Sequence, residues 1–226
     1  MWDLAQNQLA DVVKEDSQTQ IEAVRQDPHN TNQIGYTRGE RVLSVDQRSG
    51  SQIAEFTAHE DLCLAIGFNP NKLHTLTSVG ADSMTRVWDM RKPGSCLLQF
   101  ADFGHWTTCV AYNQFHDQLI LTGGTSTFAH LYRAQSVSSL PSHADLEQTF
   151  NMSIDLTERS YKPLPQQIGA AQGQGVDKLV MRTELEDSVV AVEWSQKDAW
   201  VFAAAGHNGS LMIGTIPSKE KYRILL

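Results

Sequence analysis

Three cysteines in 226 residues, Cys63, Cys96 and Cys109, are too few and too oddly numbered for a disulfide scaffold. No Cys-x-x-Cys pair offers a metal or redox site. Basic charge is scarce as well: 18 Lys and Arg stand against 26 Asp and Glu, a net charge of −8. That balance removes the electrostatic case for nucleic acid or an anionic membrane as a partner. No apolar run approaches the ~20 residues of a membrane helix, and Met1-Trp2-Asp3-Leu4 leads into polar sequence rather than a secretory leader. A nucleophile elbow, a His-Glu-x-x-His pair and a cluster of His with carboxylates are all missing. The glycines of "GAAQGQG" lack the Lys-Ser/Thr and helix start of a phosphate loop. His74, His116, His130 and His207 are scattered among strands and turns. These absences predict a cytoplasmic, non-enzymatic chain with no cofactor, no metal and no small-molecule substrate.

What the chain does have is a period. An aromatic or apolar residue followed by Asp stands at Trp2-Asp3, Val45-Asp46 and Trp88-Asp89, and Tyr132 extends the series without the Asp. The intervals are 43, 43 and 44 residues, inside the ~40–45 of a four-stranded propeller blade. Within one unit, "CLAIGF", "LHTLTSV", "MTRVWDM" and "SCLLQF" are short β-branched or apolar runs separated by turn residues such as Asn69-Pro70-Asn71-Lys72. "TTCVAYN", "QLILTGG" and "FAHLYRA" repeat the pattern, and so do "SVVAVEW", "WVFAAAG" and "SLMIGTI". The expected fold is all-β: a partial WD-repeat propeller of about four blades out of seven.

One unit also holds a set of complementary polar residues. His59 precedes the first strand, Ser78 lies on the second, Asp82 in the turn after it, and Trp88 on the third. An indole N–H only donates, a carboxylate only accepts, and His and Ser do both. Such a set predicts one buried hydrogen-bonded chain that locks turn to strand, a structural role rather than a catalytic one. The other units keep less of it. The third has His105 and Thr122 but Ser126 and Tyr132 in place of Asp and Trp. The last has Leu185, Asn208 and Gly214, and the first has Gly39 and Val45. Degenerate blades are expected to be softer.

From Tyr132 to Gly214 the interval stretches to 82 residues. The excess, at about 135–178, is polar and Pro-interrupted and ends in glycines, which predicts a disordered loop between two adjacent blades. Because four blades do not readily close a ring, residues 1–226 read as the C-terminal part of a longer propeller.

"FNPNK", "YNQFHDQLILTGG", "EDSVVAVEWSQKDAW" and the terminal "KYRILL" resemble the C-terminal half of the EARP and GARP complex-interacting protein family, the TSSC-type WD-repeat proteins. The insertion is the least alike, and Leu185 stands where the family usually carries a His. The resemblance implies a seven-bladed propeller. It also implies a scaffold that binds multisubunit vesicle-tethering complexes in endosomal recycling and endosome-to-Golgi retrieval, peripheral to endosomes and the trans-Golgi network. A different binding role is open as well. Trp88, Asp89 and Arg91 fit the W-D-x-R box with which substrate receptors meet the adaptor of a cullin-type ubiquitin ligase, and Val45-Asp46-Gln47-Arg48 fits it in part.

Overall fold

In the computed structural model, residues 2–3, 8–9, 20–101, 104–139 and 177–225 are described. A short ribbon pairs β1 (Trp2–Asp3) with β2 (Gln8–Leu9). Four antiparallel sheets follow in chain order. The first contains β3 (Val24–Gln26), β4 (Gln33–Arg38), β5 (Arg41–Asp46) and β6 (Gln52–Thr57). The second contains β7 (Cys63–Phe68), β8 (Thr75–Gly80), β9 (Thr85–Asp89) and β10 (Cys96–Phe100). The third runs β11 (Thr107–Tyr112), β12 (Leu119–Gly124), β13 (Phe128–Arg133) and β14 (Lys178–Glu184). The fourth has three strands, β15 (Val189–Trp194), β16 (Val201–Gly206) and β17 (Leu211–Thr215), followed by helix α1 (Ser218–Leu225). Neighbours in each sheet are neighbours in sequence, the meander of a propeller blade, so the chain is a partial β-propeller.

The second and third sheets are buried on two faces, whereas the fourth leaves Leu211 and Ile213 of β17 in solvent, and the strand patterns show it. β8 (TLTSVG) and β12 (LILTGG) are buried at every position, because each lies second in its sheet with a neighbouring sheet on either side. The core is accordingly divided into slabs between sheets. Val42, Phe56, Ile66, Leu76 and Trp88 fill the slab between the first and second sheets. Val79, Val87, Phe100, Tyr112, Ile120 and Tyr132 fill the next. Leu119, Leu131, Trp194 and Phe202 belong to the last. At about 1.5–3 kcal/mol for each large side chain removed from water, these slabs supply the force that stacks the blades. Close approach requires glycine at specific places. A Cβ on Gly35 of β4 would come within 2.8 Å of the Phe68 ring from the second sheet.

The insertion is placed differently from the sequence expectation. It joins β13 to β14, which pair with each other from Phe128↔Glu184 to Arg133↔Lys178, so it interrupts the third blade instead of linking two blades. Residues 140–176 of the expected disordered loop lie outside the described residues. The described ends are ordered: Gln135–Val137 form a 3₁₀ turn with Val137 buried, and Asp177 accepts hydrogen bonds from the Ser136 amide and hydroxyl. Helix α1 is a further difference, since the sequence reading contained no helix there. It is held by Glu220, whose carboxylate meets Arg133 at 3.2 Å, Lys178 at 2.9 Å and Arg223 at 3.0 Å. Burial disfavours the charged Glu220 carboxylate, but these three cations outweigh it and hold its pKa below the usual range.

Candidate functional site

Residues His59, Ser78, Asp82 and Trp88 converge in the second sheet. Trp88 Nε1 donates to Ser78 Oγ at 2.8 Å, Ser78 Oγ lies 2.7 Å from His59 Nε2, and His59 Nδ1 lies 2.8 Å from Asp82 Oδ1. The donors fix the direction of the chain. Asp82 can only accept, so His59 Nδ1–H donates to it; Nε2 of the neutral ring then accepts from the Ser78 hydroxyl, whose oxygen accepts the indole N–H. Arg86, one turn-residue set away on β9, adds a 2.6 Å ion pair to Asp82 Oδ2 and donates to the Ala58 carbonyl at 3.0 Å. The Glu60 and Met84 amides also donate to the Asp82 carboxylate. Burial works to raise the Asp82 pKa, yet the hydrogen bonds from His59 and Arg86 prevail and hold it well below the usual carboxylate range.

Ser78, His59 and Asp82 have the connectivity of a nucleophilic triad, and their surroundings remove that chemistry. Ser78 is fully buried and His59 is 2% exposed. The lone pair that would attack a substrate already accepts the indole proton. No reacting carbonyl can approach, so the arrangement acts on the fold, tying the β8–β9 turn to the strand entry at His59.

The corresponding positions elsewhere are built from other chemistry. In the third sheet His105 is exposed, Tyr132 is buried and stacks on Phe100 at 4.3 Å and 18°, and its hydroxyl is 3.1 Å from His130 Nδ1. The Thr122 and Ser126 hydroxyls are buried without a hydrogen-bond partner among the described residues. In the fourth, Leu185 and Ala204 are buried, and a Cβ on Gly214 would collide with the Phe202 ring, which fills the space a third-strand aromatic would need. Asn208 stays at the turn, accepting the Ser210 amide at 3.0 Å. In the first, Gly39 turns with φ of 57° and Val45 is buried.

Of the W-D-x-R residues, Trp88 belongs to the relay itself, while Asp89 and Arg91 lie at the end of β9 away from the Asp82 turn. Trp88 points inward. Asp89 and Arg91 pair with each other through two hydrogen bonds, Nε to Oδ1 at 2.9 Å and Nη2 to Oδ2 at 2.8 Å. Arg91 holds the Asp89 carboxyl down at about 2 against a small opposing effect of burial. The Arg91 side chain is 67% exposed.

The same end carries a second periodic device that the sequence reading did not identify. The residue after the first strand of each sheet, Asp27, Asn69, Asn113 and Ser195, accepts with its side chain the amide two residues on, and all but Asp27 also the amide three residues on, which sets the turn. Two of the four also reach the following blade. Asn69 Nδ2 donates to the buried Asp117 carboxylate at 2.9 Å, and Asn113 Nδ2 donates to the Ala199 carbonyl at 2.6 Å. Asp117 in turn accepts the Ser139 amide and hydroxyl, while Lys72 donates to the carbonyls of Val137 and Ser138. The signal was in the sequence: Asn69 follows Asp27 by 42 residues and Asn113 follows Asn69 by 44.

Known proteins agree with this architecture. The WD domain, G-beta repeat matches residues 50–89, which contain the whole relay. EARP-interacting protein 1 of Caenorhabditis elegans is 31% identical over 198 residues, 87% of this chain and 51% of that protein. EARP and GARP complex-interacting protein 1 of Rattus norvegicus is 35% identical over 201 residues, 88% of this chain and 50% of the relative. Its Homo sapiens counterpart is 32% identical over 237 residues, covering all of this chain and 59% of the relative. The chain therefore spans about half the length of the curated relatives it matches. These homologues bear out the resemblance drawn from the terminal motifs.

Proposed function

From its homology along nearly the whole chain to proteins named for interacting with the EARP and GARP complexes, we propose that this protein is a non-enzymatic binding partner of such vesicle-tethering complexes. The finer reading is a scaffold in endosomal recycling and endosome-to-Golgi retrieval, held at the cytoplasmic surface of those compartments by its partner rather than by insertion into the bilayer. One observation carries the proposal: identity of 31–35% extends over 87–100% of the chain in these relatives. The fold is in keeping with it. A relay inside the second blade and turn-to-turn hydrogen bonds that join neighbouring blades give a stiff arc whose surface loops are available for contact.

A second reading has Asp89 and Arg91 meet the adaptor of a cullin-type ligase. Arg91's exposure supports it, whereas the two-point pair with Asp89 gives the same residues an ordinary use in closing the end of β9. Affinity purification of the full chain from cells, followed by mass spectrometry, separates the two. Recovery of tethering-complex subunits in proportion to the bait is the expected result. Recovery of the ligase adaptor without tether subunits, abolished by Arg91→Ala, would replace the first reading with the second.

A further inference from the structure

The two ends of the blades differ in charge. Strand direction puts the turns that open at Asp27, Asn69, Asn113 and Ser195 at one end, together with the ends of β5, β9 and β13 and helix α1. The β4–β5, β8–β9, β12–β13 and β16–β17 turns lie at the other, with the entries to β7, β11 and β15. Among the described residues of those turns and entries, with the strand residues that border them and α1, the first end has ten Lys and Arg against seven Asp and Glu, while the second has two against seven. A chain of net charge −8 thus concentrates its cations on one end.

How those charges are engaged sharpens the difference. At the first end Asp27, Asp117 and Glu220 are buried and hydrogen-bonded or ion-paired, and Asp89 is paired with Arg91. Arg48, Lys92, Lys197, Lys219 and Lys221 form no ion pair with any described residue. Among them stand large apolar groups in water: Leu73 at 58% exposure, Phe115 at 48% and Tyr222 at 64%. His116 stacks on Trp200 at 4.7 Å, and the Lys221 ammonium lies 5.8 Å from the same indole. Exposed aromatic side chains offer a partner anchoring area, and the cations beside them offer charge.

We propose that this end docks an acidic amphipathic segment of a partner protein, with Glu or Asp meeting Lys197 and Lys221 and apolar side chains meeting Phe115, Leu73 and Tyr222. Charge complementarity names the partner's sign, and the exposed rings name its second face. An anionic lipid surface fits less well. Basic segments that hold such lipids carry about four to eight cations on one run or helix, whereas the five unpaired cations here are spread over three turns and α1, which holds two of them. The inference rests on the reading of the chain as a protein-interaction scaffold, and it adds the face and the chemistry.

The test uses the full chain, a first-end variant (Phe115→Ser, Lys197→Glu, Lys221→Glu) and a second-end variant (Trp106→Ser, Glu60→Lys, Asp61→Lys), each checked for fold by circular dichroism. Probes are a short amphipathic peptide of Glu and Leu, its Lys and Leu counterpart, and phosphatidylcholine vesicles with and without phosphatidylserine. The expected result is binding of the Glu–Leu peptide, weakened at least about tenfold by the first-end variant and unchanged by the second. Equal binding by all three proteins, preference for the Lys–Leu peptide, or phosphatidylserine-dependent vesicle binding in place of peptide binding would overturn it. Capture of the tethering complex from lysate distinguishes the two readings. Tether lost only with the second-end variant would overturn this inference and leave the proposed function standing. Peptide binding at the first end with no tether captured would do the reverse.

Discussion

Where Trp88 of the second sheet donates its indole proton into a chain ending at Asp82, Tyr132 at the matching place in the third sheet lies flat against Phe100. The relay of the second sheet is complete, each of its buried polar atoms having a partner, although the Thr85 hydroxyl elsewhere on β9 has none among the described residues. The fourth has gone the other way, with Leu185, Ala204 and Phe202 filling the same volume with hydrocarbon. The third stopped between them: its apolar packing is good, but the Thr122 and Ser126 hydroxyls are buried with nothing to bond among the described residues. A buried polar chain stabilises when complete, and a well-packed apolar substitute does as well, but a remnant does neither. Repeat number two and repeat number four are therefore expected to be firmer than the general decay of the motif suggests, and the third is the place to look for softness.

The largest effect should come from cutting the complete chain at its acceptor. Asp82→Ala leaves Arg86 as a cation with an 11% exposed side chain and no carboxylate, and takes the acceptor from His59 Nδ1. A loss of about 3–5 kcal/mol is expected in urea melts of the full chain. Asn208→Ala, at the matching turn of the fourth sheet, should cost less than about 1 kcal/mol because its partners are exposed. Equal losses would erase the distinction between wired and packed blades.

Next in size is a test of the apolar solution. Gly214→Ala puts a methyl into the Phe202 ring, and overpacking of this kind costs about 1–3 kcal/mol. Combining it with Phe202→Leu should recover part of the loss, because the smaller side chain vacates the contested space. Additive losses in the double variant would show that Phe202 does not occupy the missing aromatic's position.

Much of this was legible in the sequence, for a physical reason. Strand alternation and turn residues recur every 43 or 44 residues because each blade solves the same burial problem, so β7–β13, β15–β17 and the four relay residues could be placed from spacing and donor–acceptor roles. The missed features are those whose partners lie far along the chain. β14 pairs with β13 across the insertion, and no local pattern says which earlier strand "KLVMRTE" will join. Arg86 is an ordinary strand residue until the β8–β9 turn brings Asp82 back to it. Helix α1 exists because Glu220 meets Arg133 and Lys178, two residues of another blade. The Asp27, Asn69 and Asn113 turns were within reach of the same periodic argument, but the aromatic–Asp pairs drew attention to the other register.

A pH series refines the comparison with a smaller effect. The folded Asp82 carboxyl lies below its unfolded value, so its contribution is fully present above about pH 4 and fades as the pH falls through the folded value. Wild-type urea midpoints should therefore drop more steeply below pH 4 than those of Asp82→Asn, in which that position no longer titrates. Parallel acid limbs for the two proteins would mean that other carboxylates, Glu220 foremost, dominate acid unfolding.

The smallest effect expected is also the most discriminating. Thr122 and Ser78 are equivalent second-strand positions, both fully buried, and each presents one hydroxyl. Ser78 accepts from Trp88 and donates to His59, so Ser78→Ala strands a donor and an acceptor and should cost about 2 kcal/mol or more. Thr122 Oγ1 has no partner among the described residues, so Thr122→Val removes a desolvated hydroxyl and puts a methyl of nearly the same shape in its place. That change should be neutral or stabilise by up to about 1 kcal/mol, which inverts the usual penalty for altering a buried repeat residue. Hydrogen exchange of the β12 amides would show the gain locally, through slower opening of the third sheet with the second unchanged. If Thr122→Val destabilised as Ser78→Ala does, the third blade would have to contain a hydrogen-bonded chain of its own, and the contrast between a finished and an abandoned relay would fall.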